Sequence, residues 1–158
     1  MRNIVLARID DRLIHGQIVT AWLKQTNGNT IAIVDDLLPK DPFMLRILKA
    51  ASPPGISVEI LNVEDAIAFL SEDSPAEERL VILTKIPQAM EKLIDGGILL
   101  EKIILGGMGA KAGRQKFNKN ISASPEEVES MKHILGKNVE LLYQLVPNDR
   151  PADVKKLL

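Results

Sequence analysis

Short β-rich runs that alternate with stretches of helical period predict an α/β domain, with a mainly parallel central sheet of about seven strands covered by about six helices. Two further observations fit that class. With 158 residues, 46% of them hydrophobic, the chain can bury one sizeable core. No internal repeat, low-complexity tract or break in composition divides it, so residues 1–158 are read as a single domain.

The first strand is expected at 3–7, around Ile4-Val5-Leu6-Ala7, and the first helix near 16–25. Asn27-Gly28-Asn29 is turn chemistry leading into a strand at 30–34, which carries Ile31-Ala32-Ile33-Val34. Asp41-Pro42 combines an N-cap with a first-turn proline and opens a helix over 42–51. The turn Ser52-Pro53-Pro54-Gly55 then precedes a strand at 57–61 and a helix at 63–71. After the polar connection Glu72-Asp73-Ser74-Pro75 come a strand at 79–84, a helix at 87–95 and a strand at 101–105. A strand is expected at 120–122 and a helix at 125–135, where Ser124-Pro125-Glu126-Glu127 forms a capping box and Val128, Met131, Ile134 and Leu135 form an apolar stripe at helical spacing. A strand at 139–145 and a helix at 152–157 complete the series.

Composition narrows the function. Twenty basic residues against 21 acidic ones leave a formal charge of −1, so no strong overall field favours nucleic acid or an anionic membrane. Aromatic residues amount to 3%, which argues against a base-stacking surface. The absence of cysteine excludes disulfides, thiolate metal sites and a cysteine-borne intermediate, and is consistent with a reducing cytoplasm. The apolar residues 4–7 run straight into Arg8, Asp10, Asp11 and Arg12, unlike a signal peptide, and no stretch approaches the ~20 apolar residues that span a bilayer. If the protein works at a membrane, a partner must hold it there.

The segment Arg8-Ile9-Asp10-Asp11-Arg12-Leu13-Ile14-His15-Gly16-Gln17 places a histidine close to two arginines and beside a glycine at the exit of the first strand. Ligands of open α/β sheets bind outside the carboxyl ends of strands, and the amides that open the next helix favour anions. Phosphoryl transfer needs a positioned nucleophile and positive groups that balance the charge on the phosphoryl oxygens. His15 supplies the first, attacking as neutral imidazole. Arg12 supplies the second through its planar fork, with Arg8 as a further phosphate contact. Asp10 is a candidate orienter of His15 or Arg12, although its carboxylate would repel phosphate at close range. Gly16 leaves room for its amide to approach a phosphoryl oxygen. The competing reading makes His15 an ordinary loop histidine among surface ion pairs. His133, the other histidine, lies beside the apolar stripe of its helix and reads as structural or solvent-facing. The two histidines have no metal-ligand spacing, so no metal is expected, and the sequence assigns no cofactor.

Leu105-Gly106-Gly107-Met108-Gly109-Ala110-Lys111-Ala112-Gly113-Arg114 fits neither a Walker A loop nor a dinucleotide fingerprint. It reads as a turn whose amides could line the same rim as His15, or as a plain connection. Asp35-Asp36 and Thr84-Lys85 close two more strands on that edge. The aspartate pair could serve a hard cation, or simply turns and caps.

The long motif from Arg8 to Gln17 resembles the signature of the IIB components of the mannose/fructose/sorbose family of the bacterial sugar phosphotransferase system. Val34-Asp35-Asp36, Gly106-Gly107-Met108 and the chain length share the likeness. The resemblance implies a cytoplasmic phosphotransferase that takes a phosphoryl group on His15, through Nδ1, from a IIA component. It then passes the group to a sugar arriving through membrane IIC and IID components. It also implies that Arg12 is the active-site arginine and that Arg8 and Asp10 belong to the same loop. Ile9, Leu13 and Ile14 could serve docking or packing, and a homo-oligomer is possible. The alternative is an anion- or nucleotide-binding regulatory α/β domain without covalent chemistry, and a third reading is an interaction module with an inert polar rim.

Overall fold

The computed structural model describes the backbone of residues 1–158 and every side chain except those of Gln17 and Ile18. The chain runs β1 (Ile4–Asp10), α1 (Gly16–Thr26), β2 (Thr30–Val34), α2 (Pro42–Ala50), β3 (Ser57–Leu61), α3 (Val63–Ser71), β4 (Leu80–Thr84) and α4 (Pro87–Asp95). It continues through β5 (Lys102–Gly107), β6 (Gln115–Asn118), β7 (Ile121–Ala123), α5 (Pro125–Gly136), β8 (Glu140–Tyr143) and β9 (Ala152–Asp153), with 3-10 turns at Leu38–Lys40 and Val154–Lys156. Seven strands form one sheet in the order β3-β2-β4-β1-β5-β8-β9, parallel except where β9 runs antiparallel to β8. The α/β class and the mainly parallel sheet expected from the sequence are what the chain forms.

Local chemistry explains the elements. Asp41 caps α2 by accepting from the Met44 amide at 3.1 Å, with Pro42 in the first turn. Ser124 and Glu127 close a capping box at the start of α5. Every residue of β4 is buried, as a central parallel strand covered on both faces requires. In β1 the alternation of strand side chains sends Ala7 and Ile9 into the core under α3, α4 and α5, while Leu6 joins the core under α1 and α2. Leu70 of α3 and Leu93 of α4 are fully buried in the first of these cores, each contributing roughly 1.5–3 kcal/mol.

Three expectations need correction. β1 runs past residue 7 to Asp10, so charges that read as loop lie inside a strand, where they are paired with one another. The segment near 120–122 is a strand, but it pairs with β6 in a separate hairpin rather than joining the main sheet. Gln115-Lys116-Phe117-Asn118 carries a single apolar residue and therefore gives no strand signal. The helix expected at 152–157 is instead the short strand β9 followed by a 3-10 turn, which Asp153 caps at the Lys155 amide at 3.1 Å. Pairing of Ala152 and Asp153 with β8 prevails there over helical pattern in a segment too short to sustain a helix.

The connections position the site. From β1 the chain leaves along the α1 face towards β2, whereas from β5 it leaves by the hairpin and α5 on the opposite face towards β8. The adjacent strands β1 and β5 therefore flank a switch point, and the crevice beyond their carboxyl ends is where a ligand site is expected.

Candidate functional site

At that crevice the ladder between β1 and β5 slips. Ile9 pairs with Leu105 and Asp10 with Gly107, which leaves Gly106 as an extra residue, and the Asp11 amide extends the ladder to the Gly107 carbonyl at 3.0 Å. The Arg8 side chain lies directly over Gly106. A Cβ at that position would come within 2.0 Å of Arg8 Nη2, and one at Gly107 within 2.8 Å of Arg12 Nη2. The paired glycines form a floor on which two guanidinium groups rest.

Asp10 sits on that floor, 0% exposed. Its Oδ1 accepts from Arg12 Nε at 2.9 Å and from the Arg12 amide at 3.1 Å, and its Oδ2 accepts from Arg12 Nη2 at 2.9 Å and Arg8 Nη2 at 3.2 Å. The forked contact with the carboxylate raises the Arg12 pKa above its ordinary value and leaves Nη1 without a hydrogen bond among the described residues. The Arg12 side chain is 41% exposed, so this free edge faces the rim.

Arg8 is placed differently from the phosphate contact that the sequence suggested. It is 1% exposed and stacks over the Trp22 ring at 5.1 Å. It donates to the Gln144 carbonyl at 2.9 Å and the Leu145 carbonyl at 3.0 Å, the latter shared with Trp22 Nε1 at 2.9 Å. Burial lowers its pKa, with Asp10 opposing the shift. Arg8 therefore holds Asp10 from below and ties β1 to the segment after β8.

His15 is the N-cap residue of α1, and its side chain caps nothing. The loop reaches it through a turn closed by Leu13 N donating to Asp10 O at 3.0 Å, with Leu13 at φ 57. That uncommon conformation turns the Leu13 carbonyl onto His15 Nδ1 at 2.7 Å. A carbonyl only accepts, so the network assigns the proton to Nδ1. His15 Nε2 is buried without a hydrogen-bond partner, 3.8 Å from Asp10 Oδ2. Gly16 follows at φ 39, which suits glycine, and no acidic side chain occupies the first turn of α1. The helix end thus presents unneutralised amides beside the imidazole.

A second ion-pair chain braces the loop from outside. Asp11 Oδ2 accepts from the Gly109 amide at 2.8 Å and from Arg114 Nη1 at 3.0 Å, and Arg114 grips Glu127 with Nε at 2.8 Å and Nη2 at 2.7 Å. Burial would raise the Glu127 pKa, but the Arg114 bonds and the Ser124 amide outweigh it and hold the carboxyl below its ordinary value. Hydrogen bonding to Glu127 raises that of Arg114. The glycine-rich stretch is therefore joined to the His15 loop. Trp22 did not stand out in sequence, and Arg114 stood there only as the end of the glycine-rich stretch with no role of its own, because their partners lie far along the chain.

The remaining candidates serve the frame. Asp35 accepts from the Leu37 and Leu38 amides at 3.0 Å, and Asp36 accepts from the Val63 amide at 2.9 Å. Thr84 is buried and donates to the Ile86 carbonyl at 3.0 Å, while Lys85 is half-buried. His133 is exposed and meets Glu91 at 3.0 Å and Glu129 at 3.4 Å on the surface of α4 and α5. Ile9, Leu13 and Ile14 are all buried, as packing rather than docking requires. Among the described residues no cluster of three His, Cys, Asp or Glu side chains could hold a metal ion, and no helix is long and apolar enough to cross a membrane.

Comparison with known proteins agrees with this architecture. Residues 4–158 match the family described as the PTS system sorbose subfamily IIB component. The chain is 37% identical to the sorbose-specific EIIB component of the PTS from Lacticaseibacillus casei, over 96% of this chain and 92% of the relative. It is 34% identical to the mannose-specific EIIAB component of Escherichia coli over 98% of this chain, but spans only 48% of that longer protein. Among solved structures, the IIBSor domain of the sorbose permease from Klebsiella pneumoniae superposes with a TM-score of 0.92 at 29% identity, covering 98% of this chain and 95% of that one.

Proposed function

The chain belongs to the sorbose subfamily of IIB components of the sugar phosphotransferase system, and from that premise we propose that residues 1–158 form one phosphocarrier domain that accepts a phosphoryl group on His15 from a phosphorylated IIA component. It then delivers the group to a sugar brought by membrane IIC and IID components, working on the cytoplasmic side of the membrane. The observation that carries the reading is the constellation at the β1 and β5 ends: His15 at an uncapped helix start, with Arg12 held by Asp10 so that one edge of its guanidinium stays free.

Transfer begins with the His15 ring leaving the Leu13 carbonyl. The Nδ1 proton is released to solvent while Nε2 takes one up and closes on Asp10, from which it already stands 3.8 Å away, and Nδ1 presents its lone pair. Nδ1 attacks phosphorus in line, the bond from phosphorus to the donor nitrogen breaks, and that electron pair returns to the donor ring. Asp10 balances the positive charge that develops on the phosphorylated imidazole. The free Arg12 edge and the α1 amides face the phosphoryl oxygens. Arg8 acts through Asp10 and is a positioning residue. In the second half, a sugar hydroxyl attacks phosphorus and releases its proton to solvent, and the electron pair of the bond to Nδ1 returns to His15, which is left as neutral imidazole. Two similar phosphorus–nitrogen bonds make the first step reversible.

The test is phosphorylation of wild type and His15→Ala by a phosphorylated IIA domain, with circular dichroism as the control for folding. Label on the wild type alone, with both proteins folded, is the expected result. Equal label on His15→Ala would overturn the assignment.

A further inference from the structure

On the β5 side of Arg12 the hairpin of β6 and β7 folds over a cleft of about 420 Å³. It is lined by Lys116, Lys119, Asn120 and Ser122 of the hairpin and by the small residues Gly107, Gly109 and Ala110. Both lysines are exposed, and neither has an ion-pair partner among the described residues. Asp11, the carboxylate that lines the cleft, is already paired with Arg114. Two uncompensated positive charges therefore stand beside the Arg12 edge of the site, in a chain whose formal charge is −1. The small lining residues let an incoming side chain approach the backbone.

We propose that this cleft is the docking surface for an acidic segment of the protein that donates the phosphoryl group, with Lys116 and Lys119 steering that partner onto His15. The inference rests on the phosphocarrier reading and assigns one flank of the site to the donor. Charge favours the donor over the membrane components, because cytoplasmic loops of membrane proteins carry an excess of lysine and arginine and would be repelled. Complementary charge acts chiefly on the association rate and is screened by salt.

The experiment compares wild type with the double variant K116Q/K119Q. The second-order rate of phosphoryl transfer from a phosphorylated IIA domain is measured at low and at high ionic strength, and labelling by phosphoramidate, a donor without a protein surface, is measured in parallel. The double variant is expected to accept from IIA about tenfold more slowly at low salt, with the gap narrowing as salt rises. Its labelling by phosphoramidate is unchanged. Equal rates from IIA at every ionic strength overturn the proposal. An equal fall with both donors also overturns it, because the lysines would then act on the phosphoryl group rather than on the partner. If neither donor labels wild type, it is the phosphocarrier reading that fails.

Discussion

At the scale of single residues, the site depends on close approach over Gly106. An added methyl there would fall 2.0 Å from a buried guanidinium that is fixed by two carbonyls, a carboxylate and the Trp22 ring, so the neighbour has nowhere to go. Gly106→Ala is expected to destabilise the fold by about 1–3 kcal/mol, the usual cost of overpacking, and to slow phosphoryl acceptance by displacing Asp10. Urea denaturation measures the first effect, and wild-type stability in the variant would contradict it. The contact from Nδ1 to Leu13 at 2.7 Å makes a separate prediction for His15. Nitrogen-15 spectra of the resting protein should show the ring protonated at Nδ1, and those of the phosphorylated protein should show the proton at Nε2. A resting ring with a free Nδ1 would remove the need for the rotation. That His15, Arg12, Asp10 and Gly16 lie together was legible in sequence because they share one short segment. The part played by Arg8 could not, since its partners Gln144 and Leu145 are brought to it only by the sheet.

At the scale of elements, the loop after β1 and the start of α5 are joined through Asp11, Arg114 and Glu127. Because Glu127 is held below its ordinary pKa, its contribution to stability is fully present above the unfolded value near ~4.3 and is lost as pH falls through the lower folded value. Melting temperature followed from neutral to acid pH should therefore fall more steeply for wild type than for Glu127→Gln below about pH 4.5. Parallel curves would show that the pair adds no acid-labile stability. The two helix starts with strong cap chemistry, at Asp41 and Ser124, were legible in sequence because a cap is local. The hairpin of β6 and β7 was not, because Gln115 to Asn118 pairs for reasons of tertiary context, including the Met108 amide donating to Asn120 O at 3.0 Å. β9 was missed because two paired residues leave almost no pattern.

At the scale of the whole molecule, a parallel sheet with its connections diverging between β1 and β5 concentrates loop ends at one edge, and the charged groups there form two linked networks around Asp10 and Asp11. Two apolar cores cover the two faces of the sheet, and the charged groups occupy its rim, which is where the proposed function would bring a protein donor and then a membrane-bound acceptor. The most direct test of that account is intact mass under neutral conditions after incubation with phosphoenolpyruvate, the two general phosphotransferase proteins and a matching IIA domain, followed by peptide mapping. One added phosphoryl group, acid-labile and mapping to His15, is the predicted result. No added mass while the IIA domain is demonstrably phosphorylated would contradict the phosphocarrier reading and leave an α/β domain whose strand-end loops hold an anion without covalent chemistry.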